Sequence, residues 1–200
     1  MRVSVICPVY NTPPTLLAES IASVLQWPDA RILELILVDD ASTSQDTINM
    51  IYKILAGDCR IKLVRNVVNQ GPAVARNVGA KEALGDWLAF FDSDDIWVPE
   101  KISRAHQIVT QYPDARWISG NLTNLFLDGS RTQAPHISQA CIGERLSADT
   151  VRIKSPELTR CLIANSWLSL AHQRRVANDK LWHIDLAIEC IVDPDCKFLA

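Results

Sequence analysis

Trp87-Leu88-Ala89-Phe90-Phe91-Asp92-Ser93-Asp94-Asp95 decides how the rest of the chain is read. Five apolar residues, three of them aromatic, run straight into three carboxylates. A continuous apolar run bounded by polar residues predicts a strand buried on both faces. Its end gathers negative charge that repels itself unless something positive sits nearby. In open α/β sheets, ligands bind just past the carboxyl ends of the strands. Asp-Ser-Asp at such an end offers oxygen ligands to a hard divalent cation and leaves positions open for phosphate oxygens. A solvated acidic turn is the plainer alternative for a lone Asp-x-Asp, so the flanking sequence has to decide.

Towards the N-terminus the chain alternates strands and helices. Val3-Ser4-Val5-Ile6-Cys7 reads as a strand stopped by Pro8. Asn11-Thr12-Pro13 reads as a helix start, with a capping residue before a proline at the first helical position. Leu16, Leu17, Ser20, Ile21, Val24 and Leu25 form one helical stripe, ended by Trp27-Pro28. Leu33 to Val38 is a second strand, and it too runs into carboxylates, Asp39-Asp40, before the turn Ala41-Ser42-Thr43. Ile48, Ile51, Tyr52 and Leu55 mark a second helix, closed by Gly57. Ile61 to Val64 is a third strand. Asn69-Gln70-Gly71-Pro72 launches a third helix through about Leu84, with Gly85 past its end. Beyond the acidic strand, Pro99 starts a helix reaching about Gln111.

This order predicts an α/β fold, a mostly parallel sheet with helices on both faces. After Gln111 the pattern thins. Trp117 to Asn121 and Leu122 to Leu127 read as strands joined at the turn Asp128-Gly129. Residues 131–156 show no period and are expected to form a mobile loop over the site. Leu158 to Ile163 reads as a helix and Trp167 to Ala171 as a strand.

A parallel sheet brings both acidic tips to one edge, so Asp39 and Asp40 face the same crevice as Asp92, Asp94 and Asp95. Unpaired like charges at close range cost free energy that a bound cation removes. A cation at Asp92 and Asp94, with a second carboxylate to accept hydrogen bonds from a base or ribose, suits a nucleoside diphosphate. Arg76 and Asn77 lie off the Val74/Val78 stripe, within reach of phosphate; a solvated arginine is the alternative.

Composition narrows the classes. A hydrophobic fraction of 48% with six Trp supplies a sizeable core and excludes disorder. Twenty basic and 23 acidic residues give a net charge of -3 without a basic block, which argues against nucleic acid as partner. The six cysteines show neither a Cys-x-x-Cys pair nor zinc-finger spacing, and read as reduced thiols of a cytoplasmic protein. No leader is expected before the first strand, and no apolar run reaches transmembrane length. Asn121-Leu122-Thr123 is read as a chance sequon. His106, His136, His172 and His183 show no metal spacing. Trp97 and Trp117 read as core; Trp167 and Trp182 read as core too, with stacking on an acceptor sugar as the alternative.

Four stretches in order carry a resemblance: Ser4-Val5-Ile6-Cys7-Pro8-Val9-Tyr10-Asn11, Leu37-Val38-Asp39-Asp40-Ala41-Ser42-Thr43, Asn69-Gln70-Gly71-Pro72-Ala73-Val74-Ala75-Arg76-Asn77 and Phe91-Asp92-Ser93-Asp94-Asp95. Together they resemble the family 2 glycosyltransferases of the GT-A fold. The resemblance implies a Rossmann-like sheet with a smaller mixed acceptor-side region. It also implies inverting transfer from a nucleotide sugar, usually a UDP-sugar, assisted by Mn²⁺ or Mg²⁺. Pro8 and Tyr10 match the nucleotide-contacting turn, Asp40 the carboxylate that reads uracil, and Asp39 its neighbour. Gly71 and Arg76 match the loop and helix near the diphosphate. Asp92 and Ser93 stand by the ribose and donor, and Asp94 matches the metal ligand. One domain over 1–200 is expected, with a nucleotide-sugar half at 1–112 and a shortened acceptor half at 113–200. The acceptor implied is a glycan or lipid-linked molecule, with peripheral association at the inner face of a membrane.

Inversion needs a general base for the acceptor hydroxyl. In the family it is the Asp of a Glu-Asp or similar pair; the match here is Asp193, although Val192 replaces the Glu and Pro194 follows. Asp195 and Glu189 remain alternates. A nucleotidyltransferase would want a Gly-rich basic loop where Cys7-Pro8-Val9-Tyr10-Asn11 stands. A phospho-acceptor domain would want its acidic pair at the first strand. A nucleotide-sugar-binding module without turnover is the remaining alternative.

Overall fold

The computed structural model describes residues 1–26, 29–113, 117–119, 123–125, 130–133, 144–147, 150–152 and 161–164. The chain divides into two compact units, Met1–Gln111 and Tyr112–Ala200.

In the first unit, β1 (Val3–Val9), β2 (Ile32–Asp39), β3 (Ile61–Arg65) and β4 (Trp87–Phe90) run parallel in the order β3-β2-β1-β4. They alternate with α1 (Pro14–Leu25), α2 (Gln45–Leu55) and α3 (Pro72–Glu82), and α4 (Lys101–Gln111) follows β4. Val5, Ile6, Cys7, Leu35 to Val38 and Leu88 to Phe90 are fully buried, as expected of strands covered on both faces. From β1 to β3 the chain steps one way across the sheet, then reverses to reach β4. Right-handed crossovers therefore set α1 and α2 on one face and α3 on the other. Accordingly α1 packs against α2, while α3 lies on β1 and β2. The α3 approach depends on Gly79, where a Cβ would fall 2.4 Å from Ile6 Cγ2 and 3.1 Å from Val38 Cγ2. The reversal makes the β1/β4 boundary the switch point of the sheet, where a crevice opens beyond the strand ends.

Several boundaries differ from the sequence expectation, each for a local reason. β1 continues through Pro8 to Val9. Arg2 and Ile6 turn their carbonyls to β4, accepting from the Trp87 and Phe91 amides, whereas the Val9 carbonyl accepts from Asp40 beside β2. Main-chain groups alternate sides along a parallel strand, so the missing amide of Pro8 falls on the β4 side, past the last residue of β4. α1 begins at Pro14 with Pro13 in the cap position and no side-chain cap, so Asn11 and Thr12 do other work. Tyr52, expected on the buried stripe of α2, is 52% exposed.

At the opposite end of the sheet, Glu34 is buried in β2, which the apolar pattern hides. Its carboxylate accepts from Ser4 Oγ (2.6 Å) and the Leu84 amide (2.7 Å) and pairs with Lys62 Nζ (2.5 Å). Ser4 Oγ in turn accepts from the Gly85 amide (2.8 Å). This links β1, β2 and β3 to the loop that ends α3. Burial pushes the Glu34 carboxyl up, but the bonds from Lys62, Ser4 and Leu84 outweigh it and hold it below its ordinary value.

In the second unit, β5 (Trp117–Ser119) pairs antiparallel with β10 (Cys161–Ala164), β6 (Thr123–Leu125) with β7 (Arg131–Gln133), and β8 (Glu144–Ser147) with β9 (Thr150–Arg152). The helix expected at Leu158 to Ile163 is contradicted by β10, whose Cys-Leu-Ile run serves a strand as well as a helix. The loop expected over 131–156 contains β7, β8 and β9, short strands without clear alternation. The turn at Asp128-Gly129 and the strand at Trp167 to Ala171 lie outside the described residues.

Candidate active site

Parallel pairing puts the ends of β1 to β4 on one edge, and the candidate residues gather there. Asp39 ends β2; its carboxylate accepts from the Ser42 amide (2.9 Å) and pairs with Arg65 Nε at the end of β3 (3.1 Å). Asp40 is buried. Its Oδ1 accepts from Asn66 Nδ2 (2.7 Å), its Oδ2 from the Gly71 amide (2.7 Å), and both from the Gln70 amide (3.1 Å). A carboxylate has about four lone-pair sites, so Asp40 is engaged by the protein itself and anchors the loop before α3. Gly71 fits this anchor because its φ of +88° suits a residue without Cβ.

At the end of β4, Asp92 pairs with Arg76 from α3. Arg76 is 2% exposed, so the solvated-arginine alternative is wrong. The helix face lying off the Val74/Val78 stripe is turned inward at this point. The expectation of uncompensated charge at both tips also changes: Arg65 meets Asp39, Arg76 meets Asp92, and backbone amides meet Asp40. Asp94 differs, being exposed and making no hydrogen bond or ion pair among the described residues. Ser93, expected beside the donor, is buried, with its hydroxyl 2.7 Å from that of Thr12. Cys7 lies buried beneath this edge; burial first, and the Asp92 charge second, push its thiol well above its ordinary value.

β1 separates β2 from β4, so the two acidic tips are about 10 Å apart. The β2 tip is engaged by Arg65, Asn66 and main-chain amides, whereas Asp94 at the β4 tip bonds to none of the described residues. The edge carries two subsites. One contains Asp92 and Asp94. The other adjoins Asp39 and Asp40 and opens on a cleft of about 520 Å³ lined by Ala41, Ser42, Thr43, Arg65, Asn66 and Val67. Pro8 is half-buried and Tyr10 is 49% exposed at the end of β1.

Among the described residues no group of three or more His, Cys, Asp or Glu side chains is arranged to hold a metal. The Asp92/Asp94 pair nevertheless fits the manner in which Mg²⁺ or Mn²⁺ joins phosphates, through one or two carboxylates with the rest supplied by substrate and water. Asp193, with its alternates Asp195 and Glu189, lies outside the described residues, as do Trp167 and Trp182.

Sequence reasoning passed over Asn11, Thr12, Arg65 and Asn66. Asn11 sits at φ +51°, and its Oδ1 accepts from the Thr43 and Ser44 amides, both at 2.8 Å. An Asn just past a strand tolerates that left-handed conformation, a signal that was legible. Arg65 is the register partner of Asp39 across a parallel pair, which follows from where the two strands end.

The family model for Glycosyl transferase family 2 matches residues 4–118. An Escherichia coli UDP-Glc:alpha-D-GlcNAc-diphosphoundecaprenol beta-1,3-glucosyltransferase, WfgD, is 45% identical over 101 residues, covering 50% of this chain and 38% of that enzyme. The chain spans well under two thirds of the length of the other curated relatives it resembles. Among solved structures, S. aureus TarS 1-349 in complex with UDP superposes with a TM-score of 0.68 at 22% identity, over 94% of this chain and 55% of that one. The Pyrobaculum calidifontis mannosyltransferase PcManGT, in complex with GDP-Man and Mn²⁺, has a TM-score of 0.53 at 24% identity, over 59% and 34%. The two structures share the fold with this chain.

Proposed function

Because this chain belongs to glycosyl transferase family 2, we propose that it moves a sugar from a UDP-sugar to a glycan or lipid-linked acceptor, with Mn²⁺ or Mg²⁺ at Asp94. The observation that carries the proposal is the contrast between neighbours: Asp92 is neutralised by Arg76, while Asp94 is exposed and pairs with none of the described residues. A carboxylate left open beside a satisfied one is placed to take a cation that arrives with its diphosphate.

The helix openings support the same conclusion. Phosphate is often held by free amides at a helix N-terminus. Here α1 opens on Pro13-Pro14, which lack amides, the Thr43 and Ser44 amides before α2 go to Asn11, and the Gln70 and Gly71 amides before α3 go to Asp40. With those amides taken, a cation at Asp94 is the partner we propose for the diphosphate charge. When bound, that cation supplies Lewis-acid stabilisation of the departing diphosphate. Arg76 holds Asp92 in place. Asp39 and the cleft beside Arg65 and Asn66 take the nucleoside, with Pro8 and Tyr10 alongside; Asp40 and Gly71 fix the loop between the two subsites. The spacing of about 10 Å between strand tips suits a nucleoside at one and a diphosphate at the other.

Asp193 is the proposed base. Its carboxylate takes the proton of the acceptor hydroxyl, whose oxygen attacks the anomeric carbon as the bond to the diphosphate breaks. The WfgD name carries a diphosphoundecaprenol acceptor, which supports a lipid-linked acceptor; peripheral placement at the inner membrane face is proposed with it. Among the described residues no helix is long and apolar enough to cross a membrane.

The test is a screen of nucleotide sugars for Mn²⁺-dependent hydrolysis, repeated with Asp193→Asn. Turnover with a UDP-sugar that vanishes in the variant, with UDP binding kept, is the expected result. Unchanged turnover moves the base to Asp195 or Glu189. Binding without turnover in the wild type leaves a nucleotide-sugar-binding module.

A further inference from the structure

We infer that Thr12 is a positioning residue that sets the place of the Asp92–Asp94 turn and, resting on the reading above, the cation affinity of Asp94. The β1/β4 boundary is the switch point, and the ladder between these strands ends where the Phe91 amide donates to the Ile6 carbonyl. Past that rung, Thr12 and Ser93 meet hydroxyl to hydroxyl at 2.7 Å, with both residues buried. Ser93 lies between Asp92 and Asp94, so whatever fixes Ser93 fixes the carboxylates on either side of it.

Thr12 is itself held from the other direction. Its carbonyl accepts from Thr47 Oγ1 on α2 (2.9 Å). The neighbouring Asn11 donates its amide to Ser42 Oγ (3.0 Å) and accepts from the Thr43 and Ser44 amides. Asn11-Thr12 thus ties the loop after Asp39-Asp40 to the turn that carries Asp94, across the central strand. A hydroxyl pair suits this task. It is neutral, so it neither competes for the cation nor titrates near neutral pH. Each hydroxyl is buried, so removing one leaves the other without its partner, which costs more than the bond is worth in water. Octahedral cations tolerate little ligand displacement, so a small shift of the turn is read out as lost affinity.

The experiment measures UDP affinity by calorimetry with and without Mn²⁺ for the wild type, Thr12→Val and Thr12→Ser. Valine keeps the shape and removes the hydroxyl; serine restores it. Thr12→Val is expected to lose about tenfold of the Mn²⁺-dependent affinity while its metal-free affinity is unchanged, and Thr12→Ser to bind as the wild type does. Equal binding by the two variants overturns the inference, as does a loss in Thr12→Val that is the same with and without Mn²⁺. A wild type with no Mn²⁺-dependent gain sinks the proposed cation site instead. The brace is then judged by amide exchange at residues 92–95: faster exchange in Thr12→Val than in Thr12→Ser supports it, and equal rates refute it.

Discussion

Replacing Gly79 by alanine tests how the sheet positions its chemistry from a distance. The added Cβ would stand 2.4 Å from Ile6 Cγ2 and 3.1 Å from Val38 Cγ2. Ordinary carbon contacts lie at about 3.5–4.0 Å, so α3 must back away by roughly 1 Å or Ile6 must leave its rotamer. Both partners belong to central strands buried on two faces, so the helix is the part that yields. Overpacking of this kind costs about 1–3 kcal/mol. At roughly 2–4 °C per kcal/mol for a chain of this size, the melting temperature should fall by about 2–12 °C. The same helix carries Arg76 and follows Gly71, so Mn²⁺-dependent UDP affinity should fall as well. Ile6→Leu removes the branch methyl that makes the closest contact, and in that background Gly79→Ala should cost less. Thermal melts of the four proteins give the coupling directly. A wild-type melting temperature in Gly79→Ala, or an equal cost in both backgrounds, would mean that α3 does not press on Ile6 in this way.

Two further outcomes concern stability. Ala41 holds φ +62° just past β2, a conformation that costs a Cβ about 1–2 kcal/mol; the freedom of an unfolded glycine offsets about 0.4–1 kcal/mol of this, so Ala41→Gly should raise the melting temperature by about 1–3 °C. No gain in a melt would mean that this backbone is not strained. Glu34 titrates below its ordinary value of 4.5 in the fold, so its contribution is complete above that value and is lost as pH falls through the folded value. Acid titration of urea stability should therefore show a flatter acid limb in Glu34→Gln than in the wild type. Parallel limbs would place the acid sensitivity elsewhere.

The fold of the first unit was legible because its strands are uninterrupted apolar runs and its links are short. What misled was punctuation. Pro8 looked like a stop, yet it sits where no partner strand asks for its amide. Pro13 looked like the first helical residue, yet Pro14 takes that place. Glu34 falls inside an apolar run, and only three-dimensional pairing shows it buried with Ser4 and Lys62. At the site, the carboxylates were legible as types and positions but not as states. Asp39, Asp40 and Asp92 each acquire partners from β3 or from α3 and its leading loop, elements remote in sequence. Those pairings follow from register and helix face, which a one-dimensional pattern does not carry. Ser93 was placed by its neighbours in the motif, although its hydroxyl belongs to Thr12. In the second unit the strands are three or four residues long, too short for periodicity to separate strand from helix or loop.

Asp94 is proposed to hold a divalent cation, which in turn holds the diphosphate. Calorimetric titration of UDP into the wild type and Asp94→Ala, each with Mn²⁺ and with chelator, tests it most directly. Binding should be tighter with Mn²⁺ for the wild type and show no such gain for Asp94→Ala, whose affinity should match the chelated wild type. A gain that survives in Asp94→Ala, or a wild type indifferent to Mn²⁺, would contradict it.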